Sequence, residues 1–167
     1  FLLGESYGGI RSGGVAYELF NEHSIALNGV ILVSPYMDFI AGNNGAENDL
    51  ADANMLTTYA AAAWYHETVE DRPADLEAFL ADAQAFVDEK YVPVLRKGHA
   101  ASDAERAEVL AGLERFTGID ADYWDRANLR INEARFAKEL LRDRRKTVGR
   151  IDSRFVGDAI NHIGETF

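Results

Sequence analysis

The sequence has no cysteine among its 167 residues, so disulfide bonds within it and a cysteine nucleophile are both excluded. Basic residues are scarce: 17 lysines and arginines stand against 28 acidic residues, which gives a net charge of -11. Because nucleic-acid binding needs a basic face, we expect no nucleic acid as a partner. No apolar run approaches the ~20 residues of a membrane span and no signal peptide is visible, so we expect no membrane partner either.

Metal and nucleotide signatures are also missing. The chain has no H-E-x-x-H motif and no clustered spacing of histidines and carboxylates of the kind that holds a metal. Its glycine-rich turn lacks the lysine of a P-loop and the G-x-G-x-x-G order of a dinucleotide site. We therefore predict that the protein uses neither a metal nor another cofactor.

The most informative motif that is present is a G-x-S-x-G close to the first residue. Residues 4–8 are Gly-Glu-Ser-Tyr-Gly, between the apolar triplet Phe1–Leu3 and apolar residues at helical spacing. This order predicts a strand, a sharp turn and a helix, the nucleophile elbow, in which the serine backbone is strained. Only glycine is expected to fit two residues before and after such a serine. Ser6 is therefore the candidate nucleophile.

The residues around the motif are more specific than the motif itself. Phe1 to Tyr17 and Leu27 to Phe39 resemble the elbow and the next strand of the serine carboxypeptidase family, within the α/β-hydrolase superfamily. Thr147 to Phe155 resembles that family more loosely. Residues 34–36, Ser-Pro-Tyr, stand where eukaryotic members have a Gly-Asn-Gly type stretch, which indicates a bacterial-type branch. Bacterial proteins of this kind are often exported, so the resemblance favours a periplasmic or extracellular location.

The resemblance also implies a reaction. Ser6 attacks a peptide carbonyl and forms an acyl-enzyme, and the backbone amide of Tyr7 supplies one donor to the oxyanion. Glu5 helps to bind the free C-terminal carboxylate of the peptide together with a second acid elsewhere, and the shared proton is lost as pH rises. The expected substrates are peptides with a free C-terminal carboxylate, and the expected pH optimum is acidic.

The catalytic acid and histidine are not identified within the sequence. His23, His66, His99 and His162 all follow the serine, as the order of the triad requires. His23 comes too early, whereas His66 and His99 lie in or just after predicted helices, where surface histidines are common. His162 remains as a weak candidate, because the family places its acid and histidine further along the chain. Asp38 is expected either to line a subsite or, more in keeping with its position, to cap a turn.

These features predict an α/β fold class: a partial α/β-hydrolase core with a large all-helical cap insertion, predominantly helical overall. We expect the core with the elbow over residues 1–45, the helical cap over 46–146, and a segment returning to the core over 147–167. A buried parallel strand needs neighbours, and only Phe1–Leu3 and Val30–Ser34 are strong strand candidates. We therefore expect the chain to be a fragment that associates with the remainder of its own polypeptide.

Local signals predict the helices in more detail. The expected spans are about 8–21 after the elbow, 53–66, a helix from Pro73 that kinks at Pro93 and stops at Gly98, a helix from the capping box at residue 102 to Gly118, and short helices capped by Asp120 and Asn132. In the cap, the large aromatic side chains are expected to face inward, namely Trp64, Phe79, Phe86, Phe116 and Trp124.

The sequence thus favours a fragment of a serine-type carboxypeptidase that is inactive alone, because the acid, the histidine and half of the oxyanion hole are missing. Two alternatives stay open at this point. One is a general esterase or aminopeptidase of the α/β-hydrolase type, since only Glu5 and Tyr7 distinguish the carboxypeptidase. The other is a non-catalytic helical interaction module in which the elbow-like start is incidental.

Overall fold

The structure is a computed structural model that describes residues 1–42 and 48–158. The chain divides into two compact units, Phe1–Asn43 and Asn44–Phe167. The described residues are predominantly helical, with 59% in helices and 8% in strands, and these strands form two small sheets.

The first unit has the strand–helix–strand order expected from the sequence. Strand β1 spans Leu2–Glu5, helix α1 Gly8–Asn21 and strand β2 Val30–Val33, and a single turn of helix, α2, covers Phe39–Gly42. The two strands are parallel neighbours, with Glu5 opposite Val33 at their carboxyl ends. The predicted span of α1 is confirmed. Strand β1 is shifted towards the serine and ends directly before it.

Strand β2 is apolar throughout and is not buried on either face. Its four residues, Val-Ile-Leu-Val, are each 43–49% exposed, and Phe1 and Leu3 are exposed beside them. Parallel strands of this composition are normally covered by helices on both faces. The described part of the first unit therefore presents a contiguous apolar surface around its sheet.

The second unit is a helical body with its own core. Its helices are α3 Asp49–Tyr65, α4 Leu76–Phe86, α5 Val92–Lys97, α6 Asp103–Thr117, α7 Ala121–Arg126 and α8 Glu133–Glu139. The five aromatic side chains pack inward as predicted: Phe79, Phe116 and Trp124 are buried, and Trp64 and Phe86 are partly buried against the same core.

Several predicted helix ends are confirmed by their capping geometry. Ser102 and Glu105 form a capping box at the start of α6, and Gly118 ends that helix in a left-handed conformation with φ 64°. The Asp120 and Asn132 side chains accept backbone N–H bonds at the starts of α7 and α8. Because a cap depends on a few adjacent residues, it can be read directly from sequence.

Other helix boundaries differ from prediction. Helix α3 begins at Asp49 rather than near Ala53. Helix α4 does not begin at Pro73 but at Leu76, because the Asp75 side chain accepts a hydrogen bond from the Ala78 amide at 3.1 Å and caps the helix there. Between α4 and α5 the backbone forms a π-helical turn, Val87–Tyr91, in which the Val92 amide donates to the Val87 carbonyl.

A short antiparallel hairpin that the sequence did not predict follows α8. Strand β3, Thr147–Val148, pairs with β4, Val156–Gly157. Lys138 on α8 donates to the Thr147 hydroxyl at 3.0 Å, which joins the hairpin to the helices. The described residues of the 147–167 segment therefore pack within the second unit.

Candidate active site

Ser6 lies in the turn between β1 and α1 with a left-handed backbone, φ 54°. Few non-glycine residues adopt this conformation, and here backbone hydrogen bonds impose it from two sides. The Ser6 amide donates to the Val33 carbonyl at 3.0 Å, while its carbonyl accepts from the amides of Gly9 and Tyr36, each at 3.0 Å. The strained strand–turn–helix that the motif predicts is therefore present.

Only one of the two glycines that flank Ser6 in the motif is required by the space around it. A Cβ on Gly4 would lie 2.2 Å from the Gly8 carbonyl oxygen, so Gly4 is required by close approach. A Cβ on Gly8 would meet nothing within 4 Å. The tight position on the far side is Gly9, where a Cβ would lie 2.7 Å from the Pro35 side chain. The expectation that Gly8 is sterically required is thus wrong, because α1 leaves the turn with its first residue facing open space.

Two of the groups that acyl transfer needs, a hydroxyl and a backbone amide, are accessible at the turn. Ser6 and Tyr7 are exposed, and neither the Ser6 hydroxyl nor the Tyr7 amide makes a hydrogen bond to a residue that the structure describes. The Tyr7 amide stands at the N-terminus of the 14-residue α1, where the helix dipole favours negative charge. The Ser6 hydroxyl and the Tyr7 amide, the predicted nucleophile and oxyanion donor, are therefore adjacent and make no hydrogen bond to other parts of the described chain.

Glu5 is the last residue of β1 and is exposed. Within residues 1–42 and 48–158 its carboxylate takes part in no ion pair or hydrogen bond. A side chain without a protein partner is free to bind a ligand, which is compatible with the recognition role that the resemblance implies.

Apolar side chains beside the turn form what we call the aromatic wall: Tyr7, Tyr36, Met37 and Phe39. The Tyr36 and Phe39 ring centroids are 4.8 Å apart, and those of Tyr7 and Phe39 are 6.3 Å apart. The Arg11 guanidinium lies 5.8 Å from the Tyr7 ring centroid. The sequence analysis did not predict this wall. The one signal for it was the Ser-Pro-Tyr sequence, which places an aromatic residue directly after an apolar strand.

Asp38 caps a turn, as the second of its two expected roles requires. Its Oδ1 accepts hydrogen bonds from the amides of Ile40 at 2.8 Å and Ala41 at 3.3 Å, which fixes the start of α2. A carboxylate used in this way orders the segment that carries Phe39.

Among the described histidines, only His23 belongs to the same unit as Ser6. His23 is exposed just after α1, and His99 is exposed in a short 3₁₀ turn of the second unit. His66 was expected at the surface but is only 7% exposed. Its Nε2 donates to the Ser153 carbonyl at 2.6 Å, because the hairpin segment covers it. His162 lies outside the described residues.

No group of three or more metal-ligating side chains occurs among the described residues. None of the helices that these residues form is both long and apolar enough to cross a membrane.

Comparisons with known proteins return no match, whether with protein-family models, with curated proteins or with solved structures. The resemblance to serine carboxypeptidases therefore rests on the residues themselves, and the roles of Glu5, Ser6 and Tyr7 stay predictions.

Proposed function

We propose that this chain is part of a serine-type carboxypeptidase that hydrolyses C-terminal peptide bonds through an acyl-enzyme on Ser6. The observation that carries the proposal is the left-handed Ser6 between a parallel strand and a helix, with its hydroxyl and the next amide unoccupied by described residues. Strained non-glycine residues concentrate at functional sites because the surrounding structure must maintain them.

In the proposed reaction the Ser6 oxygen attacks the peptide carbonyl carbon and its proton passes to a histidine outside the described residues. The developing oxyanion accepts a hydrogen bond from the Tyr7 amide. The histidine then gives this proton to the leaving nitrogen as the tetrahedral intermediate collapses and releases the C-terminal amino acid, and water hydrolyses the ester to regenerate Ser6. The acid that orients the histidine and the second oxyanion donor are likewise assigned to the remainder of the polypeptide.

Glu5 is proposed to bind the free carboxylate of the departing residue by sharing one proton with a second acid. Two carboxyl groups can hold a carboxylate only while a proton is shared among them. Deprotonation therefore weakens binding, which is why the proposed activity is highest in acid.

The aromatic wall favours substrates that carry an apolar side chain next to the scissile bond. Tyr7 directly follows Ser6, and the backbone amide of Tyr36 donates to the Ser6 carbonyl, so both rings lie beside the serine. Apolar contact of this kind contributes in proportion to the area removed from water.

The test compares matched free-acid, amide and ester substrates with the full-length protein. Ser6→Ala should lower kcat/KM for free-acid peptides by roughly 10⁴-fold or more, because it removes the covalent step. Glu5→Gln should mainly reduce the preference for free-acid over amidated peptides while leaving ester hydrolysis comparatively intact. The measurement is kcat/KM for the three substrates from acidic to neutral pH.

Glu18→Gln is the matched control, because Glu18 is an exposed glutamate on α1. It should leave the ratios of kcat/KM among the three substrates unchanged. If wild-type protein cleaves free-acid and amidated peptides equally, or Glu5→Gln depresses all three substrates alike, the general esterase or aminopeptidase function replaces the proposal. A protein whose Ser6 reacts with no fluorophosphonate and cleaves no substrate is instead the helical interaction module.

A further inference from the structure

The second unit contains a groove of about 850 Å³ that the proposed hydrolase chemistry does not use. We call it the arginine groove. Its polar lining consists of Asp49, His99, Arg106, Asn128 and Arg130.

One wall of the arginine groove is a strained turn after α7. Asn128 and Leu129 are consecutive non-glycine residues with positive φ, 52° and 65°, and Leu129 is only 2% exposed. The Tyr91 hydroxyl donates to the Leu129 carbonyl at 2.6 Å, and the Leu129 amide donates to the Trp124 carbonyl at 2.8 Å. Backbone strain that buried hydrogen bonds maintain is characteristic of functional sites.

Arg130 is fixed on the inner side of the turn. Its Nε and Nη2 donate to Asp49 Oδ1 at 3.0 and 2.7 Å, and its Nη1 donates to the Asn128 carbonyl at 3.0 Å. A longer contact of 3.5 Å joins Nη2 to the Leu95 carbonyl. Since a guanidinium has five N–H donors, one donor on Nη1 remains without an acceptor among the described residues.

Arg106 approaches the same asparagine from α6. Its Nε and Nη2 donate to the side chain and carbonyl of Asp125 at 2.7 and 3.1 Å, and its Nη1 lies 3.4 Å from Asn128 Oδ1. Two of its N–H donors therefore have no acceptor in the described part of the chain. The side chains of Arg106 and Arg130 are 33% and 29% exposed, so their remaining donors are accessible from solvent.

The groove therefore has more donors than acceptors. The Asn128 amide nitrogen and the His99 ring also have no hydrogen-bond partner within the described ranges. Asp49 is the single carboxylate of the lining, and its Oδ1 already accepts two bonds from Arg130. Asp125 binds Arg106 from just outside the lining, so the two arginines face two aspartates, and what the groove has in excess is N–H donors rather than charge.

We propose that the arginine groove binds the oxyanion of a carboxylate or phosphate group, with Arg106, Arg130 and the Asn128 amide as donors. Both arginines are held rigid by their aspartates, so a ligand does not have to order them. Arginine donors match planar carboxylate and phosphate oxygens well. The site is independent of Ser6.

The test measures anion binding to the full-length protein by calorimetry, with inorganic phosphate and with acetate as separate probes against chloride at equal ionic strength. Saturable binding of either probe is expected, and the stronger one identifies the ligand class. Arg106→Gln should weaken binding roughly tenfold, the size of one lost charged hydrogen bond. Asn128→Gly keeps the left-handed backbone accessible, removes only the side-chain amide, and should weaken binding less.

Arg126→Gln is the matched control, because Arg126 also forms an ion pair with an aspartate, 3.2 Å from Asp122, but outside the groove. It should leave anion binding unchanged. The proposal is overturned if neither probe binds saturably, or if both Arg106→Gln and Asn128→Gly bind as the wild type does. Since Asn128→Gly retains both arginine ion pairs, it decides the question even where Arg106→Gln proves poorly folded.

Discussion

At the scale of single residues, both strands of the first unit end on a left-handed serine. Ser6 follows β1 with φ 54°, and Ser34 follows β2 with φ 42°. Each such backbone costs on the order of 1–3 kcal/mol. Parallel strands bind ligands at their carboxyl ends, so both strained residues lie at the edge of the sheet where a site is expected.

The two glycines of the G-x-S-x-G motif are predicted to respond differently to a methyl group. Gly4→Ala places its Cβ against the Gly8 carbonyl and should lower the free energy of unfolding by about 1–3 kcal/mol, as overpacking does. Gly8→Ala meets open space and should change that free energy by less than about 1 kcal/mol, with a gain in helix propensity. Thermal denaturation of both variants of the full-length protein provides the measurement. Equal losses would show that Gly8 is also confined.

At the scale of elements, helix ends that depend on adjacent residues were predicted correctly, whereas features that depend on distant residues were not. The capping box at Ser102 and the left-handed Gly118 depend on adjacent residues and were found from sequence. The hairpin was missed because its strands have two residues each, too few for alternation to appear. The burial of His66 was missed because its partner, Ser153, is 87 residues away.

The start of α6 is predicted to lose stability in acid. Lys97 and then the backbone and side chain of Ser102 hydrogen-bond the Glu105 carboxylate and lower its pKa from its usual 4.5 to about 2. Between these two pKa values, Glu105 binds a proton in the unfolded chain but not in the folded one. Its contribution to folding stability is therefore complete above the unfolded-state pKa and is lost as pH falls towards the folded-state pKa.

Melting temperatures of wild-type and Glu105→Gln protein should therefore differ near neutral pH and converge towards pH values of about 2. Glutamine preserves the capping-box pattern, so the difference reports the charge. Glu114→Gln is the control, as an exposed glutamate on the same helix. A difference between wild type and Glu105→Gln that is constant with pH would contradict the assignment.

At the scale of the whole molecule, the two units differ in how much core they contain. The buried apolar residues of the described chain run from Ala51 to Val148, all in the second unit. In the first unit the buried residues are Gly4, Gly9 and Ser12, which remove little apolar area from water. Stability that depends on apolar burial is therefore concentrated in the second unit.

Residues 44–167 produced alone are accordingly expected to unfold in one cooperative thermal transition, whereas residues 1–43 alone should show none. Circular dichroism at 222 nm against temperature checks both pieces. A cooperative transition in the 1–43 piece would mean that its exposed sheet needs no further covering, which would count against the proposed association with the rest of the polypeptide.

The π-helical turn Val87–Tyr91 has a consequence for how this chain tolerates change in length. A π turn has the geometry of an α-helix into which one residue has been inserted, and one residue corresponds to about 100° of helix rotation. The turn sets the phase in which Val94 and Leu95 of α5 face the core. Deleting one of the exposed residues 88–90 would therefore restore a regular α-helix and leave that face directed at the core, so a one-residue deletion should be tolerated better here than within α3 or α6.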